Sequence, residues 1–267
     1  MRRLVVVLAL AVAVLAALLL GTVPAGAIVN GEPDGNLHPQ VGALLAELGP
    51  AGEKEVLCSG SLISPTVFLT AAHCTDFLAS IEISDVWVTF DSQFTSSSPL
   101  IHGSYVTDPD YNAYHGPGGS ADPHDLAVVL LDQAAAGITP VRLPTAGLLG
   151  AIGLKDQTFT AVGYGTVRTG KTGGPNAFFF DSTRRFALQT QRSLERAWLN
   201  LSENPSTGNG GTCFGDSGGP HFLGGVDSNL QVSLTVTGDS ACRATDKSYR
   251  LDTPSARSFI GRFVALP

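Results

Sequence analysis

Apolar residues in this chain fall in short runs broken by Gly, Pro, Ser and Asp, a pattern that predicts strands between turns. The runs are Val41–Leu48, Leu57–Ile63, Val67–Thr70, Val86–Phe90 and Leu126–Leu131 in the first half. Phe159–Gly163, Arg185–Thr190, Ala197–Leu201, Pro220–Leu223 and Leu230–Thr237 follow in the second. Between them, Leu131 to Pro144 carries Pro140 and Pro144 and suits a crossing from one half to the other. The polar segment Ser92 to Pro123 reads as surface loop holding a strand or two that the pattern does not place, and Thr166–Asn176 as a Gly/Lys/Thr-rich loop. The end changes period. Thr253 caps a helix with Pro254 in its first turn, and Phe259, Ile260, Phe263 and Val264 recur at helical spacing, so the stripe should lie on the body.

One run is of another kind. Arg2 and Arg3 precede unbroken apolar sequence from Leu4 to Leu20, followed by Gly21, Pro24 and the small triplet Ala25-Gly26-Ala27. A basic start, an apolar stretch and an A-x-A site predict a secretory signal over 1–27, cleaved near Ala27. The competing reading is an uncleaved anchor, for which this run is at the short limit and Gly21 and Pro24 are ill suited. The expected product is secreted, with no stable membrane anchor.

Composition narrows the function. The 267 residues are enough for one large domain or two small ones, and 31 Gly and 16 Pro against 15% charged residues fit many turns. Without Arg2 and Arg3, 14 Lys+Arg stand against 23 Asp+Glu, a net charge of −9 in place of −7. No basic stripe exists, so nucleic acid is not an expected partner. The exported part holds Cys58, Cys74, Cys213 and Cys242, which read as two disulfides with three pairings open. No Cys-x-x-Cys pair favours zinc.

Three residue types then stand out. His73 follows an apolar strand in Thr70-Ala71-Ala72-His73-Cys74, Asp125 opens Asp125-Leu126-Ala127-Val128-Val129, and Ser217 sits in Gly215-Asp216-Ser217-Gly218-Gly219-Pro220. Singly, each has a bland reading as a structural histidine, a turn acid or a tight-turn serine. A serine hydroxyl is a poor nucleophile until a base, an orienting acid and an oxyanion cradle are supplied, and the three together could form such a set. The order His…Asp…Ser separates them from other triad folds. The Gly-x-Ser-x-Gly pattern also fits an α/β-hydrolase esterase, but Gly218-Gly219-Pro220 prevents the helix that must follow, and His221 is too near to serve.

These blocks, with Ile28-Val29-Asn30-Gly31 and Cys58-Ser59-Gly60-Ser61-Leu62-Ile63, resemble the chymotrypsin/trypsin-like family of serine peptidases, in a secreted member of bacterial type. The resemblance spans nearly the whole exported chain. It implies an all-β fold of two antiparallel six-stranded β-barrels with a C-terminal α-helix. The first barrel would cover about 28–135, the second about 145–250 and the helix about 254–265, all within one domain, 28–267. It implies Ser217 as nucleophile, His73 as base, Asp125 as orienting acid, and the N–H groups of Gly215 and Ser217 as the oxyanion hole. Asp216 would pair with the new amine of Ile28, which the expected cleavage after Ala27 would create directly. Cys58–Cys74 and Cys213–Cys242 are the implied disulfides, the first closing a loop worth about 3 kcal/mol. A polypeptide substrate, protein inhibitors as partners, a monomer and no cofactor or metal complete the expectation. A catalytically silent homologue acting as a binding module is the alternative.

The specificity pocket is less defined. Relatives that cut after Lys or Arg carry an acid six residues before the serine, and that position is Gly211. Gly238 fits a pocket glycine, with Val236-Thr237 before it in place of Ser-Trp, and the third position falls at Asp246 or Lys247. Asp246 inside would favour basic side chains and Lys247 acidic ones; with neither inside, Gly211 leaves a neutral pocket for apolar or small residues, the preferred expectation. His115, Asp122 and His124 read as solvated loop residues, and Asn200-Leu201-Ser202 matches a glycosylation sequon on a strand-like run.

Overall fold

The structure, a computed structural model, describes residues 31–113, 122–168 and 178–267. The expected signal segment with Ile28, His115 and most of the Thr166–Asn176 loop lie outside the described residues. Strand β1 (Glu32–Pro33) is followed by β2 (Val41–Glu47), β3 (Lys54–Ser64), β4 (Val67–Thr70), helix α1 (Ala72–Ser80), β5 (Asp85–Thr89), β6 (Ile101–Thr107) and β7 (Ala127–Leu131). After helix α2 (Leu148–Ala151) come β8 (Thr158–Gly163), β9 (Val167–Arg168), β10 (Phe178–Phe179), β11 (Arg185–Leu194), β12 (Trp198–Ser202), β13 (Pro220–Leu223), β14 (Gln231–Gly238), β15 (Thr245–Arg250) and helix α3 (Pro254–Ile260).

Two antiparallel six-stranded barrels result. The first closes in the order β2-β3-β4-β7-β6-β5. The second runs β11-β12-β15-β14-β13-β8, and β8 pairs back with β11 from Arg185↔Gly163 to Thr190↔Thr158. Closure leaves neither barrel with an open edge. Alternation along the strands turns Leu44, Leu62, Phe68 and Val128 into one core and Phe159, Leu199 and Val232 into the other. β6 is a strand hidden in the segment that reads as loop. The terminal helix ends at Ile260, earlier than its apolar stripe; the chain continues in turns, the Phe263 N–H donating to the Ile260 carbonyl at 3.0 Å, and Phe263 and Val264 still pack on the core. Thr253 caps it as expected, its side chain accepting the N–H of Ala256. Among the described residues no helix is long and apolar enough to cross a membrane.

A buried ion pair joins the two halves. The N-terminal segment crosses to the second barrel, where β1 lies on β11 and the Asp34 N–H donates to the Arg184 carbonyl at 3.0 Å. Arg184 is completely buried, and its Nε donates to Asp34 Oδ2 at 2.8 Å. Its other nitrogens reach the carbonyls of Val41 (2.9 Å), Phe90 (2.9 Å) and Gly35 (3.0 Å) and the Tyr164 hydroxyl (3.1 Å). His38 Nδ1 contacts the other Asp34 oxygen. Burial pushes the Asp34 carboxyl up, but the His38 hydrogen bond and the Arg184 charge outweigh it and hold the carboxyl below its ordinary range.

Removing one member of such a pair strands the other charge in the interior. Arg184→Met is expected to lower the free energy of urea unfolding by about 3–5 kcal/mol, and adding Asp34→Asn should return most of it. Stability from Asp34 should also fade as pH falls through its lowered pKa, since the unfolded carboxyl takes up its proton first.

Candidate active site

His73 lies at the start of helix α1, where the chain turns out of β4. The helix has no side-chain cap at Ala71, so its first N–H groups need acceptors from elsewhere. Asp125 supplies one. Its Oδ1 accepts the His73 backbone N–H at 2.9 Å while Oδ2 meets the His73 Nδ1 at 2.9 Å. A single buried carboxylate therefore fixes both the backbone and the ring of His73, leaving Nε2 as the free nitrogen of the imidazole. Burial disfavours the imidazolium, but the charge of Asp125 and its hydrogen bond prevail, and the His73 pKa is raised above its ordinary value.

Asp125 is positioned by the loop before β7. Asp122 accepts the Tyr249 hydroxyl at 2.6 Å and the Ser255 hydroxyl, tying that loop to β15 and the start of α3. Asp122 is thus an anchor from the first half to the second, and its oxygens face these hydroxyls.

The Ser217 segment is built from turns. Asp216 N–H donates to the Cys213 carbonyl (3.0 Å), Gly219 N–H to the Asp216 carbonyl (2.8 Å) and Gly218 N–H to the Thr235 carbonyl (2.8 Å). The Cys213–Cys242 disulfide ties it to the β14–β15 turn, and Cys58–Cys74 ties β3 to α1 beside His73, the two pairings that the resemblance implies. Gly218 has φ +80°, and a Cβ there would lie 2.3 Å from Thr70 Oγ1, 2.5 Å from the Ser59 carbonyl and 2.8 Å from Ala71 N. The segment holding Ser217 therefore rests directly on the backbone that leads into His73. Ser59 makes the junction: its N–H donates to the Ser217 carbonyl (2.8 Å), its hydroxyl donates to the Gly215 carbonyl (2.9 Å) and accepts the Tyr164 N–H (2.9 Å). Sequence reasoning assigned Ser59 to a motif and no task.

Asp216 is fully buried behind this turn, accepting N–H groups from Cys213 and Gly165, both at 2.8 Å. Burial pushes its carboxyl up to about 7.

Beside Ser217 opens a cavity of about 110 Å³, lined among others by Thr212, Phe214, Thr235, Val236, Thr237 and Gly238. Thr237 and Gly238, the expected pocket positions, are among the residues that line it. Gly211 does not line it: a Cβ there would lie 2.2 Å from the carboxyl carbon of Glu203, which occupies that space. Asp246 is enclosed beneath the lining, bonded to Thr212 Oγ1 at 2.7 Å and His221 Nε2 at 2.8 Å. Lys247 points elsewhere, its Nζ 3.7 Å from Glu195 and 4.9 Å from the Trp198 ring centre.

Two groups could be taken for metal sites. Cys58, His73 and Cys74 converge within 4.8 Å, but both sulfurs are in the disulfide and offer no thiolate. Asp108, Asp110 and His124 converge similarly, with Asp108 buried, Asp110 exposed and His124 Nδ1 3.6 Å from Asp108. Asn200 of the sequon sits on a strand paired on both sides, its amide donating to Ser193 (2.9 Å) and Glu195 (2.8 Å), so it is no accessible acceptor for sugar.

A family model described as Trypsin matches residues 32–258. The chain is similar to mouse (Mus musculus) kallikrein-8, 28% identical over 204 residues, 73% of this chain and 72% of the relative. Brachyurin of Leptuca pugilator is 27% identical over 205 residues, 70% and 78% of the two chains. Chymotrypsin of Phaedon cochleariae is 26% identical over 220 residues, 74% and 69%. A solved HL collagenase structure superposes with a TM-score of 0.63 at 19% identity, covering 87% of this chain and 95% of its own, a likeness of fold.

The contact of Gly218 with Thr70, Ser59 and Ala71 is tight enough to test. Gly218→Ala should destabilise the protein by about 1–3 kcal/mol through overpacking, with the strain of positive φ added, read as a lower thermal midpoint. An unchanged midpoint would mean that the two segments are not pressed together.

Proposed function

The chain belongs to the trypsin family, and from that footing we propose that it is a secreted serine endopeptidase working through Ser217, His73 and Asp125. The observation that carries this reading is the double hold of Asp125 on His73, at the ring Nδ1 and at the backbone N–H. It fixes one tautomer and directs Nε2 away from the carboxylate, as a general base requires.

The chemistry follows. Ser217 Oγ adds to the scissile carbonyl carbon as its proton passes to His73 Nε2, and Asp125 stabilises the imidazolium. Negative charge gathers on the carbonyl oxygen, where the N–H groups of Gly215 and Ser217 receive it; one such donor is worth about 10²–10³ in rate. Collapse of the adduct breaks the C–N bond, His73 gives its proton to the leaving amine, and an acyl-enzyme remains. Water then repeats the sequence, with His73 as base, and frees the acid and Ser217. Gly215 has φ +94°, and Ser59 holds its carbonyl, which fixes the peptide lying between the two proposed donors.

Asp216 supports a latch. A fully buried carboxylate with two N–H partners gains strongly from a cation, and the amine of Ile28 would supply one, with an ordinary pKa near 8. Signal peptidase acting after Ala27 would then produce the activated enzyme without a propeptide.

A fluorophosphonate probe tests the triad. Ser217 should be labelled, Ser217→Ala should not, and the labelling rate should fall with one proton through a midpoint above 6.5, because the His73 pKa is raised and only the neutral ring accepts a proton. Folded wild-type protein that takes no label would be the silent homologue. For the latch, N-terminal sequencing of the secreted product should begin at Ile28; any other start sinks the direct-activation reading.

A further inference from the structure

Outside the cleft at Ser217, one set of metal-binding side chains is left without a task. Asp108, Asp110 and His124 each present a ligand atom, and the three atoms lie within 4.8 Å of one another. The residues share a cavity of about 150 Å³ with Ser255, Ser258, Phe259 and Arg262. Asp108 is the anchor. Only 5% of it is exposed, its Oδ1 accepts the Asp110 N–H at 3.0 Å, and its Oδ2 has no hydrogen-bond donor among the described residues. A carboxylate oxygen buried beside a cavity without a donor is costly, so a group that fills the gap is favoured.

The spacing says what kind of group. Among the described residues the other histidine–carboxylate pairs are closed hydrogen bonds: 2.9 Å for His73 with Asp125, 2.6 and 3.0 Å for His102 with Asp132 and Asp85, and 2.8 Å for His221 with Asp246. His38 and Asp34 are likewise in contact. His124 Nδ1 stands 3.6 Å from Asp108 Oδ2, too far for a hydrogen bond. Two ligand atoms that share one tetrahedral zinc, each about 2.0–2.2 Å from it, are about 3.4 Å apart. The His124–Asp108 pair is spread as co-ligands are.

We propose that Asp108, Asp110 and His124 bind one zinc ion, with water completing the shell, and that the ion clamps the segment carrying Asp125. One imidazole and two carboxylates suit a borderline cation better than calcium, which takes more ligands and all of them oxygen. The local charge agrees. With a neutral imidazole the two carboxylates outweigh Arg262, whose guanidinium lies over the Phe259 and Phe263 rings at 5.7 and 5.5 Å. Asp122 adds a third carboxylate, accepting the His124 N–H at 3.0 Å. The clamp follows from the backbone. The Asp108 N–H donates to the Leu126 carbonyl (2.9 Å), and the His124 carbonyl accepts the Leu126 N–H (2.8 Å). An ion that joins the two side chains closes a ring of contacts around Asp125, which lies between His124 and Leu126. The proposal is independent of the reading of Ser217 as nucleophile.

The test uses the whole secreted protein, stripped of metal with EDTA and dialysed. Zinc chloride titrated by calorimetry should bind at one equivalent, and at about a hundredfold excess over its Kd it should raise the thermal midpoint by about 5–10 °C. Cobalt(II) in place of zinc should give the visible absorption of a tetrahedral nitrogen–oxygen site. His124→Asn keeps a residue type that tolerates the left-handed backbone at this position, φ +53°, and should weaken zinc at least about tenfold. Asp110→Asn, on the exposed side, should do the same. Amide exchange at Asp125 and Leu126 should slow when zinc is added. A wild-type protein that binds no zinc at about 1 mM overturns the proposal, and that result needs no variant to fold. Zinc held as tightly by His124→Asn as by the wild type overturns it too, because the ion is then at another histidine. Calcium binding tighter than zinc overturns the role of His124, and unchanged exchange at Asp125 and Leu126 overturns the clamp.

Discussion

The buried Arg184–Asp34 pair sets the relation between the two barrels. Its members are 150 residues apart in sequence, and the guanidinium also holds carbonyls at the start of β2 and the end of β5 and a hydroxyl just after β8. Taking both charges out of water costs several kcal/mol each, and only the full set of partners offsets that cost. Such a centre tolerates one arrangement of the barrels and penalises small rotations that would lengthen any one bond. Because His73 and Asp125 lie in the first half and Ser217 in the second, that rigidity also fixes where the two segments stand relative to one another.

Smaller ties repeat the theme nearer the site. Asp122 fastens the approach to Asp125 onto Tyr249 and Ser255 of the second half. Ser59 of β3 fastens the turn around Ser217 onto the first. The two cross in opposite directions, so each half holds a segment of the other in place.

The sequence discloses the barrels and the candidate site residues to different depths. Strands with strong apolar runs, such as Val67–Thr70, Phe159–Gly163 and Pro220–Leu223, lie close to their expected bounds, because alternation and flanking turn residues are local signals. β6 and β15 do not announce themselves. Ile-His-Gly-Ser-Tyr-Val-Thr and Thr-Asp-Lys-Ser-Tyr-Arg are mostly polar, and they become strands because neighbours on both sides pair with them. His73, Asp125 and Ser217 stand out because each sits in a short distinctive block. Arg184, Ser59 and Asp122 bind across to partners distant in the chain, and nothing adjacent to them hints at that. The pocket is the clearest case: Gly211 reads as a missing charge, whereas the structure fills its space with the carboxyl of Glu203.

Ser59 has a mechanical consequence. Its hydroxyl and N–H hold the carbonyls on either side of Asp216, so the peptides that carry the Asp216 and Gly218 N–H groups are steered by the opposite barrel. Any hinge motion that parted the barrels would pull on both carbonyls at once, so the turn that holds Ser217 moves with β3 and not with its own barrel alone.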